Sequence, residues 1–268
     1  MTGWTEITCQ RGHDKHDALT VDVDLSRPHG FHDLPPIPAG LAPPPFLMRV
    51  FDWEDYGPGP YCPARDVVSE AVATLGVWEP AETILTLQVC KGQRGWVLDM
   101  GAQIGWFSLL ALASGMRVYA VDADPAPLAL LEESATINAW SDRLTDHVER
   151  IGPATEPYDP AWRLRLAKVD VEGAEDEAVR MLMPLLRRGR IDHLLIEVSP
   201  VFASYYPAML QDLMDLSYVG YLLPDKSIPP AVLEDPERDL TRLGYRDLEG
   251  VADWHQRNVW FRHRGADW

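Results

Sequence analysis

The 268-residue sequence is short of basic residues, of cysteine and of long apolar runs, and each shortage removes a class of function. Lys and Arg number 24 against 41 Asp and Glu, a formal charge of −17. A surface that tracks nucleic-acid phosphates needs the opposite balance, so no nucleic-acid partner is expected; a cationic ligand, or plain solubility, suits the acid excess. The three cysteines, Cys9, Cys62 and Cys90, are odd in number and lack CxxC spacing. Neither a disulfide framework nor a zinc cage follows, and a reducing cytoplasm is the expected setting. The longest apolar stretch, Ile104 to Met116, is too short to cross a bilayer, and the opening MTGWTEITCQRGHDKHD lacks the charged-then-apolar pattern of an export signal. A soluble protein without a membrane partner is expected. What the sequence does have is core material: 46% apolar residues are enough for one large α/β domain or two small ones and exclude disorder for most of the chain.

Residues 1–63 differ in texture from the rest. They hold four of the eight histidines and the proline run LPPIPAGLAPPP (34–45), too Pro-rich for helix or central strand. TVDVDL (20–25) alternates with period two and reads as an edge strand, and FLMRVFDW (46–53) as a second strand. The region reads as an extension that wraps or lids a main domain spanning 64–268. The histidines of HDKHD (13–17), with His29 and His32, read as a solvated terminus rather than a metal site.

From Ala64 onward strands and helices alternate. Helices are expected around 66–74, 81–89, 104–115, 125–139, 174–186 and 205–216. Strands are expected at WVLDM (96–100), RVYAVD (117–122), 144–151, LRLAKVD (164–170), HLLIEV (193–198) and NVWFRHR (258–264). Such alternation implies a doubly wound, mostly parallel sheet with helices on both faces and a ligand crevice beyond the carboxyl ends of the strands. The segment 224–257, polar and broken by prolines, is long for a connection and is a place for substrate contacts.

The most informative stretch is WVLDMGAQIGWFSLL followed by RVYAVDADP. Asp99 closes one strand, Gly101 and Gly105 make the turn, and Asp122 closes the next strand 23 residues after Asp99. That spacing suits an acid on the hydroxyls of a nucleotide ribose. A carboxylate at Asp99 would repel the pyrophosphate of NAD, whereas S-adenosylmethionine (AdoMet) carries an ammonium and a sulfonium. One such pair at ~4 Å and an effective dielectric of ~20 contributes on the order of 4 kcal/mol before desolvation. The methionine carboxylate would accept from backbone N–H groups around Gly101 to Gly105, at the start of a helix. The competing reading makes Asp99 a helix cap and Gly105 a packing residue.

These residues resemble the FkbM-type family of AdoMet-dependent methyltransferases. LDMGAQIGWFSLLA (98–111) is similar to the family's first motif, which usually has Asn where this chain has Gln103. AKVDVEGAEDEAV (167–179) is similar to its most diagnostic segment, HLLIEVSP (193–200) to the strand that follows, and LGVWEPAET (75–83) to its upstream Glu-Pro element. The resemblance covers roughly residues 65–200. It implies a Rossmann-like, seven-stranded, mostly parallel sheet of the class I methyltransferase kind with the N-terminal extension added. It further implies that Asp99, Gly101, Ala102 and Gly105, with Gln103 in the same loop, hold the methionine end of AdoMet and Asp122 the ribose. Glu79 lies near the methionine moiety, and Ala123, Asp124 and the 149–151 strand end lie near the adenine. Gln103 stands where a positive φ is called for, which Gln adopts less readily than Gly or Asn.

A second acid group, Asp170, Glu172 and Glu175, falls at the end of a strand and the start of a helix. Glu175 reads equally as compensation of the helix N-terminus. Asp170 and Glu172 face the crevice: Asp170 beside the cofactor, and either of them, or His255, as general base for a hydroxyl acceptor. A carboxylate acceptor needs no base, and a competing use of the pair is Mg2+ binding. Tyr205 and Tyr206, with Trp53, Tyr56 and Tyr61, are candidates for the pocket wall. The expectation is an O-methyltransferase acting on a small natural-product or sugar-like hydroxyl, as a monomer or homodimer. The alternatives are a carboxyl or N-methyltransferase on an amino-acid or nucleoside scaffold, a non-catalytic AdoMet-binding scaffold protein, and an NAD-dependent oxidoreductase.

Overall fold

The computed structural model describes residues 18–26, 37, 40–52, 66–159, 161–200, 205–224, 235–254 and 256–267. His255, Trp53, Tyr56, Tyr61, the HDKHD run, His29, His32, Cys9 and Cys62 lie outside the described residues, as does most of 34–39. The main sheet is built from β3 (Trp96–Met100), β4 (Arg117–Asp122), β5 (Leu144–Val148), β6 (Leu164–Val169), β7 (Ile191–Val198), β8 (Tyr218–Leu222), the two-residue β9 (Thr241–Arg242) and β10 (Arg257–His263). Their order across the sheet is β5-β4-β3-β6-β7-β10-β8-β9. Five neighbouring strands, β5 to β7, are parallel, and β10 inserts antiparallel between β7 and β8.

The doubly wound expectation holds, with eight strands in place of seven. β8 (YVGYL) escapes the periodicity reading because it follows its helix after two residues, and β9 is too short to carry a pattern. The chain leaves β3 toward β4 and β5, then returns past β3 to lay down β6 and β7. Strand order therefore reverses between β3 and β6, and a crevice opens there at the carboxyl ends.

β6 and β7 are buried at every position, as expected for parallel strands covered on both faces. One face is packed by α2 (Pro80–Cys90), α3 (Trp106–Ala113) and α4 (Pro125–Ile137); the other by α5 (Glu175–Leu186) and α6 (Tyr206–Asp215). The expected inward stripe of α4, Leu128, Leu131 and Ala135, is buried. The local signals are ordinary ones. Asp124 caps α4 by accepting from Ala126 N at 2.9 Å, with Pro125 in its first turn. Asp66 caps α1 (Val67–Leu75) by accepting from Ser69 N at 2.6 Å, and Gly76 ends it in the left-handed conformation.

The two strands expected before residue 64 form their own antiparallel ribbon, β1 (Ala18–Val23) with β2 (Phe46–Phe51), rather than an edge of the main sheet. The ribbon is fastened to α4. Asn138 brackets Leu47, its Oδ1 accepting from Leu47 N at 3.0 Å and its Nδ2 donating to Leu47 O at 2.6 Å. Arg49 pairs with Glu133 at 3.1 Å and donates from its backbone to Ser134 Oγ. No helix among the described residues is long and apolar enough to cross a membrane.

Candidate functional site

A cavity of about 750 Å³ lies over the carboxyl ends of β4, β3, β6 and β7, at the point of strand-order reversal. Among the described residues seven carboxylates line it, Glu79, Asp122, Asp124, Glu149, Asp170, Glu172 and Glu197, against two cations, Arg150 and Lys168. Trp78, Trp106 and Phe107 supply the aromatic wall.

The glycine loop between β3 and α3 is closed on itself. Gly101 N and Ala102 N both donate to Val121 O, Gly105 N donates to Ala102 O, Gln103 N to Asp122 Oδ2 at 2.8 Å, and Ile104 N to the Gln103 side-chain Oε1 at 2.7 Å. These are the N–H groups expected to receive a ligand carboxylate, and each has a protein acceptor in this structure. Gln103 adopts φ 51°, the positive value its position calls for, and its Nε2 donates to Asp66 Oδ2 at 2.7 Å, which ties the loop to the cap of α1. The length of Gln, one methylene beyond Asn, makes that reach. Gly101 is obligatory for space, since a Cβ there would stand 1.7 Å from the Asp170 carbonyl oxygen. At Gly105 a Cβ would meet Leu131 of α4 at 2.4 Å.

Asp99 is placed differently from expectation. It is 1% exposed and is not among the described residues that line the cavity. Its Oδ2 accepts from Ser108 Oγ at 2.7 Å, and burial pushes its pKa up, opposed by the Lys168 ammonium. The reason is register: Asp99 on β3 stands beside Lys168 on β6, both on the face covered by α2 and α3. Its charge reaches the site through Lys168 rather than by contact. Asp122, by contrast, lines the wall; it accepts from Gln103 N and from Asp124 N at 2.9 Å, and burial raises its pKa against those two bonds. Ala123 and Asp124 flank it, with Glu149 and Ile151 beyond.

Lys168 is the residue that sequence reading passed over. It is 4% exposed, donates to Asp170 Oδ2 at 2.8 Å and lies 4.7 Å from the centre of the Phe107 ring. Burial alone would lower its pKa, but Asp170, Glu79 and Asp99 raise it above the ordinary lysine value. It stays protonated at any working pH. Glu79, at the N-cap of α2 with φ 41°, lines the cavity beside it.

The segment after β6 explains its own acids. Glu172 sits at φ 52° and Gly173 at φ 101°, a tight turn that sets Glu172 on the cavity wall. Glu175 holds that turn from beneath. Its Oε1 accepts from Val171 N at 3.2 Å and Gly173 N at 3.1 Å, and its Oε2 from Tyr206 Oη at 2.7 Å and Tyr205 Oη at 3.0 Å. Glu175 is not among the described residues that line the cavity; it holds the turn. Tyr205 and Tyr206 are likewise its anchors rather than cavity wall.

A second unforeseen carboxylate is Glu197, near the end of β7. It is 4% exposed and lines the cavity, and its Oε1 accepts from Ser199 Oγ at 3.0 Å and Gln256 Nε2 at 2.5 Å. Gln256 brings the end of the 224–257 segment to the site. Among the described residues no group of three or more His, Cys, Asp or Glu is placed to hold a metal ion. Cys90 is buried, and burial pushes its thiol up to about 12, which leaves it unreactive.

No protein-family model and no curated protein matches the chain. Solved structures similar to it include the bifunctional kinase-methyltransferase WbdD, at 16% identity over 72% of this chain with a TM-score of 0.44; the chain spans 41% of that protein's length. A TehB-like SAM-dependent methyltransferase from Corynebacterium glutamicum is 12% identical over 68% of this chain and 87% of its own, TM-score 0.42. Magnesium protoporphyrin IX methyltransferase from Synechocystis, solved with bound SAM, is 14% identical over 79% of this chain and 89% of its own, TM-score 0.43.

Proposed function

We propose that this chain is an AdoMet-dependent methyltransferase acting on a hydroxyl of a small natural-product or sugar-like acceptor. The observation that carries the reading is the charge of the switch-point cavity. Seven carboxylates against two cations suit a ligand with an ammonium and a sulfonium and oppose the pyrophosphate of a dinucleotide. The residues present fit AdoMet. Asp122 keeps lone pairs for a ribose diol beyond the two N–H bonds it accepts. Ala123 and Asp124 border the adenine, and Glu79 and Asp170 face the cationic end.

When bound, AdoMet supplies a methyl group on a sulfonium that is itself a good leaving group. The protein's tasks are then to position the acceptor and to exclude water. Trp78, Trp106 and Phe107 provide the apolar wall. Asp170 is committed to Lys168, a bond that an incoming Mg2+ would have to displace, so it sets the local charge rather than taking a proton. Glu172 is the base in this reading, exposed at the cavity mouth where an acceptor hydroxyl enters. Glu197 faces the acceptor from β7, three strands away from Asp122.

Calorimetry with AdoMet, its demethylated product and NAD tests the class. AdoMet and product are expected to bind and NAD is not; binding of NAD without AdoMet would overturn the reading. Release of demethylated product in the presence of candidate acceptors separates an enzyme from an AdoMet-binding scaffold and identifies the accepting atom.

A further inference from the structure

The closed glycine loop leaves a problem that the cavity itself answers. The amino-acid end of AdoMet carries an ammonium and a carboxylate, and the five loop N–H groups from Gly101 to Gly105 are all spent on protein acceptors. A carboxylate brought into a cavity with seven acids needs a cation. Of the two among the described residues that line it, Arg150 follows β5 at the adenine side, whereas Lys168 stands on β6 against Phe107 at the start of α3. We propose that Lys168 holds the carboxylate of the donor's amino-acid end, with Glu79 taking the ammonium. The proposal rests on the AdoMet reading and assigns the binding of one end of that ligand.

The arrangement is a buried zwitterion matched to a zwitterion. Lys168 has three N–H donors, one of which is given to Asp170 and one side of which is occupied by the Phe107 ring. Glu79 and Asp99 lie in its field from α2 and β3. A single added carboxylate is therefore received by a cation that three fixed acids keep charged. An α-amino acid presents its two charges on one carbon, which is the spacing that neighbouring Lys and Glu side chains can meet together. Charge-assisted bonds of this kind are the stronger class.

The test compares three ligands that share the adenosine thioether: S-adenosylhomocysteine, its decarboxylated analogue, which retains the amine, and methylthioadenosine, which lacks both groups. In the wild-type protein, removal of the ligand carboxylate is expected to weaken binding about 10- to 100-fold. Lys168→Met is expected to bind S-adenosylhomocysteine and its decarboxylated analogue equally, with methylthioadenosine affinity unchanged; that last value also reports that the variant is folded. Lys168→Arg, which keeps the buried charge, is expected to restore part of the discrimination. Equal binding of the carboxylated and decarboxylated ligands by the wild-type protein overturns the proposal without need of a variant, as does a Lys168→Met protein that still discriminates. Failure of the wild-type protein to bind any adenosine thioether would instead overturn the AdoMet reading beneath it.

Discussion

At the scale of single residues, the Asp99–Lys168–Asp170–Glu79 group decides most of what can be tested. Removing Lys168 leaves three carboxylates facing one another in a site of low dielectric, so Lys168→Met is expected to cost about 3–5 kcal/mol in urea unfolding. Asp99 behaves in the opposite sense. Its folded-state pKa lies above the ordinary 3.8, so the folded protein binds this proton more tightly than the unfolded chain. The stability from its protonated form is fully present below that ordinary value and is lost as pH rises through the folded one. Asp99→Asn is thus expected to gain stability relative to wild type as pH rises above about 4. A difference that does not grow with pH would show that the carboxylate is not held protonated by the fold. Glu172→Gln is expected to lower methyl transfer about 10²-fold or more while AdoMet affinity stays within about threefold. Fully retained turnover would move the base elsewhere, to Glu197 or His255.

Among elements, the turn joining β6 to α5 is the one under constraint, because it carries a positive φ at Glu172 and closes against the glycine loop. Glu175→Ala would leave two backbone N–H groups and the Tyr206 hydroxyl without their acceptor, while Tyr205 keeps Gly173 O, and is expected to destabilise the protein by about 3 kcal/mol. Hydrogen exchange of Val171 and Gly173 should rise more than that of β6; uniform exchange would argue that the clamp is not local. The strand-helix alternation, the glycine turn, Asp122 and the turn after β6 were all legible in sequence, because each is a local pattern of period, Gly or terminal acid. The alternating pattern of β6 also contained Arg165 and Lys168, but not that both are buried. Arg165 meets Asp192, and Lys168, beyond the neighbouring Asp170, meets the charges of Glu79 and Asp99; these arrive from distant segments that only the tertiary fold brings alongside. The same reason hid the exit of Asp99 from the cavity wall and the arrival of Glu197. Glu175 was ambiguous because an acid in the first turn of a helix has a local explanation that conceals its tertiary one.

For the molecule as a whole, the charge of −17 is unevenly spent: the crevice at the switch point holds a concentrated share of it. AdoMet carries one more positive charge than its demethylated product, so it should bind more tightly at low salt, and the ratio of the two affinities should shrink as ionic strength rises to about 0.5 M. A ratio independent of salt would mean that the crevice field is compensated. The N-terminal ribbon has a consequence in time rather than in energy. Leu47 and Arg49 are held by side chains on α4 that come 84 to 91 positions later. During synthesis at 5–20 residues per second, the ribbon leaves the ribosome and waits roughly 5–20 s for Asn138 to follow. Among the described strands these two are made first yet lock late: α1 is the earlier neighbour, its Ser69 Oγ accepting from Phe51 N at 3.1 Å, and the bonds to Ser134 and Asn138 close only afterwards.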